Sequence, residues 1–241
     1  YGFYSGSFYP RESLISGDLT LKQAESYLNK EKRLEIASKI VEGAIHNIKR
    51  NIEKREIFEN EIKMIEEYQD KINDVKSINE LMSIEAHVRR IYYRTFERIT
   101  NWKFEERTKL PPKNPLNAMI SFGNSLVYTT VLKEIYLTPL NPTISFLHEP
   151  SERRFSLSLD ISEIFNPILS DRLIFKLINL KEIKEENFEE ALEGIYLKDN
   201  GRKIFVENYD KMLETTIVHR KLKKKVKYKT LIRLELYKLI K

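Results

Sequence analysis

Apolar residues recur at threes and fours in the first third of the chain: Leu34, Ala37, Val41, Ala44, Ile45 and Ile48, with Ile40 beside them. Lys and Glu fill the intervening positions, so the pattern predicts one amphipathic helix over residues 30–59. Ahead of it, Ser16-Gly17-Asp18 marks a turn, and Thr20 with Gln23 three residues on predicts a helix start. A second stripe, Leu81, Ile84, Val88, Ile91 and Thr95, predicts a helix over 78–102. Pro111, Pro112 and Pro115 then form a stiff connection, because proline cannot sit inside a helix. A third helix is predicted over 116–136, closed by Pro139 and Pro142, with short ones over 158–165 and 167–180. One hairpin signal remains: Ile195-Tyr196-Leu197 and residues 203–206 flank Asp199-Asn200-Gly201. Two more helices close the chain. The class is mainly α, a multi-helix domain with at most a short hairpin.

Composition narrows the function classes. With 41% hydrophobic and 32% charged residues over 241 positions, the chain can bury a core, which excludes a wholly disordered protein. It has no cysteine, which excludes disulfides, thiolate metal sites and thiol nucleophiles. No apolar run approaches the roughly 18–20 residues of a membrane helix. The net charge of +6 is local: residues 220–241 hold ten Lys/Arg against Glu235 alone, and the remainder is slightly acidic. Within that tail, Lys221, Lys224 and Lys225 would share one helical face with Leu222 and Val226 on the buried side. Such a segment suits a phosphate backbone, and a merely solvated helix explains it equally well. Residues 1–13, aromatic and Gly/Ser/Pro-rich without a helical period, read as the end of an upstream domain or linker, and 14–241 as the helical domain.

Few residues can carry chemistry. A Gly-rich phosphate loop, a nucleophile elbow and a His-Glu-x-x-His pair are all missing from the sequence. Of four histidines, His46 adjoins a core stripe and His219 opens the basic block. His87 follows Glu85 by two positions and so points to another helix face. His148 differs, lying in a Pro-bounded loop beside Glu149. Asp160 and Glu163, spaced i,i+3, share one helix face. They suit either a functional acidic pair or an exposed edge balancing Arg153, Arg154 or Arg172. Glu85 and Arg89, spaced i,i+4, read equally as a surface ion pair.

Several blocks in order change that balance: Ser83-Ile84-Glu85-Ala86, Met119-Ile120-Ser121-Phe122-Gly123-Asn124, Ser145-Phe146-Leu147-His148-Glu149-Pro150, and Leu159-Asp160-Ile161-Ser162-Glu163. Together with Gly6-Ser7-Phe8-Tyr9-Pro10 and Ser16-Gly17-Asp18-Leu19, they closely resemble the CRISPR-associated adaptation integrase, the "Cas one" family. The resemblance implies an N-terminal β-rich dimerising domain, missing from this chain, and a C-terminal α-helical catalytic domain. It implies a metal-dependent DNA endonuclease and integrase that inserts captured DNA fragments (spacers) into a CRISPR array by transesterification. The family's catalytic metal ligands fall on Glu85, His148 and Glu163, with Asp160 as an accessory acid; Asn166 stands where an Arg is usual. Two carboxylates and an imidazole suit Mn²⁺ or Mg²⁺. Implied partners are double-stranded and branched DNA, a second copy in a homodimer, and the small protein "Cas two", in a prokaryotic cytoplasm and without a membrane. Candidate nucleic-acid contacts are Arg89, Tyr92, Arg107, Lys109, Arg153 and Arg154, with Lys221, Lys224 and Lys225. The alternative is a non-catalytic helical DNA-binding or scaffolding domain in which the three ligand candidates are unconnected.

Overall fold

Four side-chain caps set where the main helices begin in the computed structural model, which describes residues 14–150, 155–191, 193–219 and 221–240. Ser16 Oγ accepts from Leu19 N at 3.4 Å and opens α1 (Gly17–Leu28); Asn29 Oδ1 accepts from Lys32 N at 2.9 Å and opens α2 (Lys30–Ile52). The cap of α1 is therefore Ser16 and not Thr20, which lies inside the helix and bonds back to the Ser16 carbonyl. Gln23 is buried, pairing with both backbone groups of Asn141. The stripe predicted over 30–59 forms α2, then a short turn of 3-10 helix, Glu56–Phe58, then α3 (Glu59–Asp70).

Ser77 caps α4 (Ile78–Tyr93), which breaks at Arg94 before α5 (Thr95–Thr100), so the helix predicted over 78–102 is two. Its stripe of Leu81, Ile84, Val88, Ile91 and Thr95 is buried throughout. Asn114 caps α6 (Pro115–Ile135), with Pro115 in the first turn, where a missing N–H costs nothing. α7 (Ser156–Phe165) runs into a π-turn, Asn166–Asp171, before α8 (Arg172–Asn179). Pro167 cannot donate to the carbonyl one turn back, and the helix widens there. α7 lies between α2 and α6. Gly123 lets α6 close on Ser170 and Phe205.

Two small antiparallel hairpins complete a mainly α fold. β1 (Phe188–Ala191) pairs with β2 (Gly194–Leu197), Phe188 opposite Leu197. The turn signal places the second strand at 203–206 instead. That segment lies in α9 (Asp199–Glu214), whose buried Phe205, Asn208 and Tyr209 follow a helical period. The true partner, Phe188-Glu189-Glu190-Ala191, exposes three of its four residues and carries no strand-like run of apolar residues. β3 (Thr216–Val218) pairs with β4 (Lys225–Lys227) ahead of α10 (Tyr228–Leu236). The basic segment is thus a hairpin and not an amphipathic helix, and Leu222 is exposed instead of docked. α10 is tied to α6 by Arg233 and the buried Glu134, 2.8 Å apart.

Candidate active site

Glu85 on α4, His148 in the loop after α6 and Glu163 on α7 line one cavity of about 640 Å³. Arg89, Arg90 and Tyr93 of α4, Arg107 and Lys109 of the proline-rich connection, and Asn124 of α6 share its wall. Three segments distant in sequence therefore meet. Arg153 and Arg154 lie outside the described residues.

The imidazole of His148 is fixed by Asp160. Asp160 is fully buried and is not the exposed edge that spacing alone allowed. Its Oδ2 accepts from Phe146 N at 2.6 Å and Leu147 N at 2.9 Å, and its Oδ1 from His148 N at 3.0 Å. His148 Nδ1 lies 2.9 Å from the same Oδ1. The same carboxylate accepts from three backbone N–H groups, so Nδ1 is the donor to it, and in the neutral ring the lone pair lies on Nε2. One carboxylate thus shapes the loop backbone and sets the tautomer.

Arg89 stands between the two glutamates. Its Nε pairs with Glu85 and its Nη2 with Glu163. The i,i+4 pair legible in the sequence is present, but it also reaches across to α7. Burial opposes the Arg89 charge, yet Glu85, Tyr93 and Asp171 hold its pKa above the ordinary arginine value. Below it Asp171, on the π-turn, is buried and pushed up to about 7 by that burial, against the lowering pull of Arg89, Tyr92, Arg107 and Arg172. Burial depresses Arg107, whose Nη atoms bond Asn117 Oδ1 at 3.1 Å and Ser121 Oγ at 2.9 Å. Lys109 is exposed at the rim.

Tyr92 does not face the cavity. Its ring is fully buried and its hydroxyl accepts from Asn51 Nδ2 at 2.8 Å. The core side of α4 runs through Ile84, Val88, Ile91 and Tyr92, whereas the cavity side runs through Ala86, Arg89, Arg90 and Tyr93. Glu85 sits at the boundary, and seven residues on from it the helix points inward. Tyr93 and Asn124, which the sequence did not single out, line the wall instead. Lys221, Lys224 and Lys225 are exposed at the β3–β4 hairpin, whereas Lys227 and Lys229 are bound to Glu214.

A cation fits here, since a guanidinium already neutralises both carboxylates. The donor set of two carboxylates and an imidazole lone pair suits a hard divalent ion. Among the described residues no three acidic or histidine side chains are gathered closely enough to hold one as they stand, because Arg89 fills the place between the glutamates.

The family described as CRISPR associated protein Cas1 matches residues 1–211. A relative from Moorella thermoacetica, named as a CRISPR-associated endonuclease Cas1, is 58% identical over 241 residues, all of this chain and 75% of that one. A solved Cas1 protein from Thermotoga maritima superposes with a TM-score of 0.87 at 44% identity, over 98% of this chain and 74% of that one. A casposase bound to integration product shares the fold, with a TM-score of 0.82 at 23% identity over 92% of this chain and 67% of that one. Among the described residues no helix is long and apolar enough to cross a membrane.

Proposed function

The chain belongs to the Cas1 family of CRISPR-associated proteins, and we propose that its Glu85–His148–Glu163 cavity cuts and joins DNA phosphodiesters to insert captured fragments into a CRISPR array. The observation that carries this reading is the meeting of two carboxylates and a carboxylate-oriented imidazole in one cation-rimmed cavity. Glu85, His148 Nε2 and Glu163 would hold Mn²⁺ or Mg²⁺. Such an ion supplies Lewis-acid polarisation of the scissile phosphate and lowers the pKa of an attacking hydroxyl.

The chain's own groups do the rest. Arg90, Arg107 and Lys109 face the phosphate and offset its charge. Asp160 holds Nδ1, so that Nε2 is the ring nitrogen turned to the ion. In the transfer, a DNA 3′-hydroxyl oxygen attacks phosphorus and the bond to the displaced 3′ oxygen breaks. The nucleophile's proton leaves and the displaced oxygen gains one, so the bonds balance without hydrolysis. Lys221, Lys224 and Lys225 would add phosphate contacts on duplex or branched DNA, in a homodimer working with "Cas two".

The test is strand cleavage and joining on branched duplexes with Mn²⁺, with Mg²⁺ and with chelator, comparing wild type and His148→Ala. We expect His148→Ala to lose at least about 100-fold in cutting while DNA affinity stays within about threefold, since affinity comes from distributed cations. Cutting by the variant at the wild-type rate would leave only a helical DNA-binding or scaffolding role.

A further inference from the structure

Around Asn51, whose amide bonds the Tyr92 hydroxyl, lies a second cavity, of about 500 Å³, lined by Arg50, Asn51, Lys54, Arg55, Arg172 and Phe175. It shares no residue with the first. Four cations line it and no acid does; the carboxylate beside it, Glu53, lies 3.7 Å from Arg50 Nε.

The pocket is built around Asn51, which is 8% exposed. Both protons of its amide are committed inward, to the Tyr92 hydroxyl and to the Pro167 carbonyl, each at 2.8 Å. That fixes the amide, and its Oδ1 accepts from Arg172 Nε at 2.7 Å. The Asn51 backbone carbonyl accepts from Arg55 Nη1 at 2.6 Å. One buried residue thus orients two guanidinium groups, each by a single N–H. Among the described residues the remaining guanidinium N–H groups of Arg55 and Arg172 have no protein acceptor. Four like charges in one concavity repel each other unless an anion enters, and two pre-oriented guanidinium forks match tetrahedral phosphate oxygens.

We propose that this pocket holds a backbone phosphate of DNA at a second point, apart from the Glu85–His148–Glu163 cavity. The assignment rests on the DNA reading given above. Arg55 and Arg172 bind the phosphate oxygens, Lys54 and Arg50 add charge at the rim, and Phe175 forms the apolar floor. Anchors of this kind fix the register of a DNA arm without reading its sequence.

The experiment is a salt titration of DNA affinity on the whole chain, comparing wild type with Lys54→Ala/Arg55→Ala and with Arg172→Lys. We expect the double variant to weaken binding of all duplex sequences about tenfold at low salt. It should also flatten the slope of log affinity against log salt by roughly 0.9 for each phosphate that is no longer neutralised. Arg172→Lys keeps the charge but not the fork, and is expected to weaken binding about threefold with the slope kept. Mn²⁺ affinity and the thermal midpoint of the double variant should match wild type. An unchanged slope in the double variant overturns the pocket alone. Inorganic phosphate bound by wild type and lost in the double variant, with DNA affinity intact, assigns the pocket to a small anion and overturns it also. A wild type that binds no DNA overturns the DNA reading and the pocket with it.

Discussion

Replacing Asp160 by Asn changes no volume and one charge, and it strikes the point on which the histidine depends. Four hydrogen bonds converge on this carboxylate: Phe146 N and Leu147 N on Oδ2, His148 N and Nδ1 on Oδ1. An amide offers only one accepting atom. With the new oxygen in the Oδ2 position, the NH₂ faces two donors of His148. The ring can respond by moving its proton to Nε2, which restores one bond and leaves the His148 N–H facing a donor. The opposite flip is worse, since it turns the NH₂ on two buried backbone amides. Bonds to a charged acceptor contribute about 1.5–3 kcal/mol each, and one or two are broken, so the variant should be about 1.5–6 kcal/mol less stable.

The larger consequence is chemical. The tautomer that rescues the fold places a proton on Nε2, the atom proposed to ligate the ion. Mn²⁺ affinity should fall about 10–100-fold, the range expected when the partner of a ligating histidine is removed. Urea denaturation reads the stability, Mn²⁺ titration the affinity, and ¹⁵N chemical shifts of the His148 ring the tautomer. A variant with wild-type stability, an unprotonated Nε2 and unchanged Mn²⁺ affinity would refute the role assigned to Asp160.

Arg89→Gln removes the cation resident between Glu85 and Glu163, so Mn²⁺ binding should tighten by about tenfold or more; weaker binding in calorimetry would show that Arg89 supports the ion instead of competing with it. Asp171 carries a folded pKa of about 7, against about 4 when unfolded, so between those values the folded chain holds more proton. Its contribution is then greatest at low pH and is lost as pH rises through about 7, by at most about 1.4 kcal/mol per unit. The wild-type minus Asp171→Asn difference in thermal stability should fall across that window, and a rise would contradict the burial argument. In Gly123→Ala the new Cβ would lie 2.2 Å from Ser170 Oγ and 3.1 Å from Phe205 Cζ. The cost should be about 1–3 kcal/mol in urea denaturation, and no loss would mean that α6 and the π-turn are less closely packed.

What the sequence disclosed follows from which signals are local. The stripes of α2 and α4 were legible because a 3.6-residue period records a buried face directly, and α6 was legible from the prolines that bound it. The hairpin at 188–197 was not, because Glu189 and Glu190 carry no strand signature, and Asp199-Asn200-Gly201 begins a helix as readily as it closes a turn. The basic segment misled in the opposite sense. Lysines at threes and fours mimic a helical face, yet in β4 it is the alternation of Lys225, Val226 and Lys227 that decides. Residues 85, 148, 160 and 163 were picked out by family resemblance, since spacing alone favoured surface ion pairs. The reach of Arg89 to Glu163 could not be read, because it depends on how α4 and α7 are set against each other.

That setting is held by a polar layer that stability alone does not call for. Asn51, Tyr92 and Asp171 are buried where α2, α4 and the π-turn meet, and apolar side chains of similar volume would commonly be as stable or more so. Their positions explain the choice. On one side the buried Asp171 interacts electrostatically with Arg89, the cation between the two glutamates. On the other, Asn51 aims Arg172 and Arg55 into the second cavity. Asp171 ends the π-turn and Arg172 begins α8, so consecutive residues set a buried acid within reach of the Arg89 charge and a cation on the wall of the second cavity. A plain α-helix through Pro167 would rotate that pair and misplace both. The widened turn and the asparagine that takes up its free carbonyl are therefore one device, fixing the spacing between the Glu85–His148–Glu163 cavity and the cavity of Arg55 and Arg172.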